Sequence, residues 1–249
     1  MKLALIGDVQ TNNMTTAYGG GYKFFLAQKV MTYQPYYYND YEYFKRIRRR
    51  GYFVMLDNGT PEGVPLDHSE LVKAYKIVQP DELVLPDVLE DSQATLEASY
   101  TFLQNYEEIV PPRNRMFVPQ GKTVEEWEWC LDEFENSRHT FETIGVPKHM
   151  EGKEGGRVAC LQAIERRGLH KKYHVHMLGC HKEPVKEVRY AIAACPWIRG
   201  IDTAAPYAYA QAGKDITCGE HYGYTWGRDF DEERASWNID ALLRACQGR

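Results

Sequence analysis

Eight short apolar runs recur along this chain, at residues 2–7, 29–33, 52–56, 82–85, 115–118, 141–144, 173–178 and 198–201. Each has strand length, and roughly 20–30 residues separate one start from the next. The connections at 41–50, 69–78, 92–106, 124–136, 155–167 and 185–194 carry helical periodicity instead. Strict alternation of strand and helix argues for a parallel sheet. Eight such units favour closure into a (β/α)8 TIM barrel of the α/β class, with an open doubly wound sheet as the alternative. No Gly-x-Gly-x-x-Gly succeeds any run, so a dinucleotide site has no support. No Pro/Gly/Ser linker divides residues 1–249, which read as one domain. Residues 10–22 are polar and glycine-rich and read as a loop.

The residues on which these runs end are the second constraint. The strand ends expected are Asp8, Tyr33, Asp57, Asp87, Gln120, Gly145, Gly179 and Asp202. In a barrel these ends share one face, where the active site is built. Four acids beside amides and glycines suit a planar, hydrogen-bond-rich, neutral or cationic ligand. They lack the cradle that a reacting phosphate needs. A carboxylate at the end of a late strand is costly unless paired or used, so Asp202 reads as a cap or a nucleophile. Asp57, with Asn58-Gly59 next in the chain, reads as a site acid or the start of a turn. Asp87 reads as a ligand-binding acid or a helix cap. His174 and His176 alternate onto one strand face near His181, which suits metal ligands or, better, structural histidines.

Net charge is -5 over 249 residues, so a nucleic-acid partner would have to be held by a local patch. The clusters Arg46, Arg48, Arg49, Arg50 and Arg166, Arg167, Lys171, Lys172 end helices, and so point away from the expected site face. Lys122, Lys148, Lys153 and Lys182 come after strands and are the better candidates for contacting a nucleic acid. Six cysteines without framework spacing, an N-terminus that reaches Asp8 too soon for a signal peptide, and no membrane-length apolar run predict a cytoplasmic protein. The 18 tyrosines suit stacking on bases or sugars, though packing accounts for most of them.

Taken in order, the strand-end segments resemble the tRNA-guanine transglycosylase superfamily. Ile201-Asp-Thr-Ala-Ala-Pro-Tyr-Ala-Tyr-Ala210 is similar to the segment around that family's nucleophilic aspartate. Leu56-Asp-Asn-Gly59 is similar to its Asp-Ser-Gly-Gly segment, Leu85-Pro-Asp87 to the base-edge aspartate segment, and Pro119-Gln-Gly121 to its Val-Gln-Gly. Ile144-Gly-Val146 and Met177-Leu-Gly179 fall where the family has floor segments. The resemblance implies a pentosyltransferase that exchanges a guanine base without a cofactor, with Asp202 as nucleophile and Asp57 as general acid/base. It implies base contacts from Asn58, Gly59, Asp87, Gln120, Gly121, Gly145, Val146, Leu178 and Gly179.

The family's zinc subdomain has no counterpart. Cys218, His221 and Cys246 do not reproduce its ligand spacing, and no metal is expected. A barrel without those additions is most similar to the DpdA-type transglycosylases of bacteria and phages, which implies DNA as polymer and a free 7-deazaguanine base, such as preQ0, as partner. A tRNA-acting enzyme, a non-catalytic nucleic-acid-binding subunit and a barrel glycosidase are the rivals. The last would use Trp platforms, whereas Trp127, Trp129 and Trp237 sit on helix-like stretches.

Overall fold

The computed structural model describes residues 1–7, 22–32, 41–59, 66–180 and 182–248. Among these, the strands are β1 (Lys2–Leu5), β2 (Tyr22–Leu26), β3 (Phe53–Asp57), β4 (Glu82–Val84), β5 (Arg115–Phe117), β6 (Thr143–Pro147), β7 (His174–Leu178) and β8 (Gly200–Thr203). They form one parallel sheet in the order β1-β8-β7-β6-β5-β4-β3-β2. The two end strands, β1 and β2, lie against each other and close it into a barrel. Around it run α1 (Ala27–Thr32), α2 (Tyr41–Arg49), α3 (His68–Val78), α4 (Ser92–Tyr106), α5 (Val124–Glu135), α6 (Gly156–Arg166), α7 (Pro184–Ala194), α8 (Ala205–Gln211) and α9 (Glu232–Cys246). The chain therefore has the (β/α)8 fold expected of its alternation.

Side-chain oxygens start several of these helices. Asp67 accepts from the Glu70 amide, Asp91 from Ala94, Thr123 from Glu126 and Asp231 from Arg234, each satisfying a first-turn N–H that the helix cannot. Strand alternation then sorts the apolar residues into two cores. Tyr22, Phe24, Leu26, Met55, Val84, Met116 and Val118 fill the barrel with Ala4. The other face packs on the helices, where Phe117 stacks on Phe134 at 3.8 Å and Phe141 on Tyr173 at 4.4 Å.

Three strands depart from the expected positions. The second strand is Tyr22–Leu26, and the run expected as strand at 29–33 is instead largely the short helix α1. Lys23 disguised it: a lysine inside the apolar run reads as loop, yet here it is buried on the helix side while Tyr22, Phe24 and Leu26 point inward. Strand β6 runs on through Gly145, Val146 and Pro147, past the end expected at Gly145, because its register with β7 extends to Pro147 and Leu178. Strand β8 includes Asp202 and Thr203, held against Ala4 and Leu5 of β1, so Asp202 lies inside the strand. Asp8, Tyr33 and His181 lie outside the described residues.

Burial leaves Lys23 with a pKa lowered to about 8, with Arg50 adding repulsion. The folded chain thus binds fewer protons here than the unfolded chain between about pH 8 and the free-lysine value, so stability contributed by this site rises with pH across that window. Lys23→Met is expected to add roughly 1–3 kcal/mol at pH 7 and to remove that rise. Denaturant titrations of both proteins at pH 7 to 10 check it. Their difference cancels the opposing alkaline loss from Cys130 and Cys160, whose thiols burial pushes up to about 12.

Candidate active site

At the C-terminal face, the strand ends surround a cavity of about 270 Å³. Asp57, Asp87, Gln120, Leu178, Gly179 and Asp202 line it, and Ile6, Phe24, Leu26, Val84, Val118 and Pro147 supply apolar walls. It falls just below the roughly 300 Å³ of the smallest drug-sized pockets, a size for one planar ring system.

Asp202 is held by two donors from β7 and its end. His176 Nε2 donates to its Oδ1 at 2.8 Å, and the Gly179 amide donates to its Oδ2 at 3.1 Å. The imidazole is fully buried, paired in register with Gly200, and so lies one layer deeper than Asp202. It can reach a ligand only through the carboxylate. His176 is therefore a support for Asp202; His174, at the start of β7, is exposed. Both carboxylate oxygens keep lone pairs beyond these two bonds.

Gly179 can aim its N–H this way because it takes a left-handed φ of +67°, and Lys148 Cδ would sit 3.0 Å from any Cβ there. A larger residue would be strained and crowded at once. Its carbonyl is gripped from the other side. Arg157, 1% exposed, donates to the carbonyls of Gly179 (2.7 Å), Leu178 (3.1 Å) and Val146 (2.6 Å), and pairs with Glu187 at 2.6 Å. This one guanidinium ties the ends of β6 and β7 to α7. The sequence offered no sign of it, because Arg157 sits in a helix of ordinary periodicity.

Asp87 is oriented by two amides. Asn58 Nδ2 donates to Oδ1 at 2.7 Å and also to the Leu85 carbonyl at 2.7 Å, while Gln120 Nε2 donates to Oδ2. Gln120 Oε1 in turn accepts from the Glu90 amide at 3.3 Å. The cap of α4 is Asp91, so Asp87 has no capping duty. Asp57 accepts from the Gly59 amide at 3.2 Å, and thus makes the expected turn and lines the cavity as well.

Other expected contacts fall outside the cavity wall. The Val146 side chain points into the outer core, because alternation along β6 turns it away from the barrel interior. Gly145 lies under the floor, where a Cβ would meet Val118 Cγ2 at 2.7 Å and Leu178 Cδ1 at 3.0 Å. Its missing side chain lets those two residues close the floor. Gly121 packs against α5, 2.6 Å from the Trp127 amide if a Cβ were added, and Gly59 packs on Gln28. Asn58 acts through Asp87. Pro147 and His149, which were not foreseen, line the cavity together with Lys148. His149 Nε2 lies 3.4 Å from the Gly121 carbonyl, and burial draws its pKa below the ordinary histidine value.

Among the four lysines, Lys148 stands at the cavity mouth. Lys153 pairs with Glu90 at 2.7 Å, and Lys182 lines a separate groove between α6 and α7 beside Glu151, Glu183 and Glu187. Lys122 is exposed beyond β5. Of the helix-end clusters, Arg166 pairs with Glu128 and Lys172 with Glu135. Among the described residues, no three of His, Cys, Asp or Glu gather as metal ligands; Cys246 is buried in α9, whereas Cys218 is exposed. No helix among them is long and apolar enough to cross a membrane.

Comparison with known protein families and with curated proteins finds no match to this chain. Among solved structures, a dipeptide epimerase from Methylococcus capsulatus, complexed with Mg and the dipeptide L-Arg-D-Lys, is similar at TM-score 0.48 and 12% identity. The likeness covers 81% of this chain and 53% of that one, so this chain spans about half the neighbour's length.

Proposed function

We propose that the chain is an enzyme, a pentosyltransferase that replaces guanine in DNA with a 7-deazaguanine base through a covalent intermediate on Asp202. One observation carries the reading: acids and amides from five strand ends, in the order the resemblance requires, line one base-sized cavity.

An Asp202 carboxylate oxygen attacks C1′ of the target nucleoside, and the C1′–N9 bond breaks with its electron pair going to guanine. Asp57 supplies the proton that guanine N9 then carries. The free guanine leaves, and a 7-deazaguanine takes its place. Asp57 removes the N9 proton of the incoming base, N9 attacks C1′, and the ester electrons return to Asp202. His176 and the Gly179 amide stabilise the carboxylate that is regenerated. Asp87, oriented by Asn58 and Gln120, accepts from the N1–H and amino edge of either base. A stacked nucleotide hides C1′, so the target is flipped out or single-stranded.

The deciding assay incubates the protein with labelled guanine, or with 7-cyano-7-deazaguanine, and measures incorporation into duplex DNA, single-stranded DNA and tRNA. Incorporation into DNA is expected. Label in tRNA alone would move the protein to the tRNA-acting branch, and label in none would remove the activity. Asp87→Ala and Gln120→Ala are each expected to raise the KM for the free base about tenfold or more, the first by removing the acceptor for the base edge and the second by removing a donor that orients it. An unchanged KM in both would put the base elsewhere.

A further inference from the structure

A second cavity, of about 450 Å³, opens beside the first. The two share Ile6, Lys148 and Gly179, so they form one continuous depression across the mouth of the barrel. Its far wall comes from the segment between α8 and α9. There His221-Tyr-Gly-Tyr-Thr-Trp226 alternates exposed and half-buried residues, and an extended stretch with that period turns Tyr222, Tyr224 and Trp226 to one side. All three line the cavity, together with Tyr209 and Lys29.

The wall is built before any ligand arrives. Gln211 Nε2 donates to the carbonyls of Thr225 and Arg228, both at 2.8 Å, and its Oε1 accepts from the Thr225 amide at 2.9 Å. The Tyr209 hydroxyl donates to the carbonyls of Lys182 (3.0 Å) and Glu220. Tyr222 packs edge-on to Tyr209 at 5.2 Å, Tyr224 edge-on to Trp226 at 5.3 Å, and Lys29 Nζ lies 4.6 Å from the Trp226 ring centre. Glu220 accepts from the Tyr222 hydroxyl at the rim, and among the described residues that line the cavity there is no carboxylate.

Fixed aromatic faces beside two lysines are the chemistry that holds a nucleotide of a single strand: the base stacks, and the phosphate meets the ammonium groups. We propose that this outer cavity binds the nucleotide next to the target in a single-stranded nucleic acid. Tyr224 stacks its base, Trp226 braces that ring edge-on, and Lys29 and Lys148 hold the phosphate that links it to the target. Lys148 belongs to both cavities, which is where that linking phosphate must pass. The assignment of neighbour and target rests on the inner cavity holding guanine; the stacking chemistry of the outer cavity does not.

The test measures binding of a fluorescently labelled single-stranded trideoxynucleotide with a central guanine, and separately of free guanine, to the full chain. Tyr224→Ala and Trp226→Ala are each expected to weaken the trinucleotide about tenfold, with Trp226→Phe restoring most of the loss and free guanine bound as in the parent. Lys29→Ala is expected to flatten the salt dependence by about 0.7 units of slope, one phosphate contact to a single strand. Thermal unfolding of the variants separates lost contact from lost fold. Trinucleotide binding unchanged in both Tyr224→Ala and Lys29→Ala would overturn the outer subsite. If the parent ignores guanine yet binds the trinucleotide in a Tyr224-dependent way, the subsite stands and the exchange reaction falls.

Discussion

Asp202→Asn is expected to lower base exchange by at least about three orders of magnitude while leaving the protein folded. The amide is isosteric and can still accept from the Gly179 N–H at one end, so the strand ends keep their positions. What is lost is the anionic oxygen that, in the proposed mechanism, forms the ester with C1′. Trapping makes the result specific. The parent, mixed with guanine-containing DNA and denatured before the second base is added, should carry a covalent nucleic-acid adduct, and the variant none. An active Asp202→Asn protein, or an adduct on another residue, would take Asp202 out of the role.

Arg199→Met carries the largest expected cost in stability, about 3–5 kcal/mol. Glu82 is 1% exposed at the opposite end of the barrel from the cavity, where Arg199 Nη1 donates to its Oε1 at 3.1 Å and the Thr143 hydroxyl donates to the same oxygen. The guanidinium also lies over the Phe53 ring at 5.1 Å and near that of Tyr22. Removing it leaves a carboxylate in an apolar shell with one neutral donor. The paired change Glu82→Gln with Arg199→Met should recover most of the loss, because burying neither charge costs less than burying one. Chemical denaturation of the single and double variants checks both statements. Equal stability of Arg199→Met and the parent would mean that the pair is worth no more than an exposed one.

The parts of this molecule that were legible from sequence are those written in local pattern. Strands β3, β4, β5 and β7 are bounded by polar residues or turns, and their ends carry Asp57, Asp87, Gln120 and Gly179 to the cavity where the barrel rule puts them. Strand β2 was hidden because Lys23 is buried in a fold that brings it beside Tyr52 and Arg50, distant in the chain. Val146 was misplaced by one step: a motif names three consecutive residues, but alternation lets only every second side chain reach the interior. His176 reads from sequence as metal-binding or structural, since its bond to Asp202 spans two strands that only folding brings together. Trp226 had no local cue at all. The bonds from Gln211 set its place at the mouth, and nothing in Tyr-Thr-Trp-Gly announces them.

The buried floor of Glu82, Arg199 and Thr143 carries a further meaning for traffic through the barrel. Among the described residues, charged and aromatic groups pack across the lower end, which leaves the upper face as the way in. Under the proposed exchange, the departing guanine and the arriving base share that opening, and the inner cavity of about 270 Å³ is sized for one of them. Under the exchange reading, the first base must clear the doorway before the second can pass, while the sugar waits on the ester. Free guanine then contends with the 7-deazaguanine for the same loaded enzyme, and the direction of exchange is set by whichever base the surroundings supply in excess.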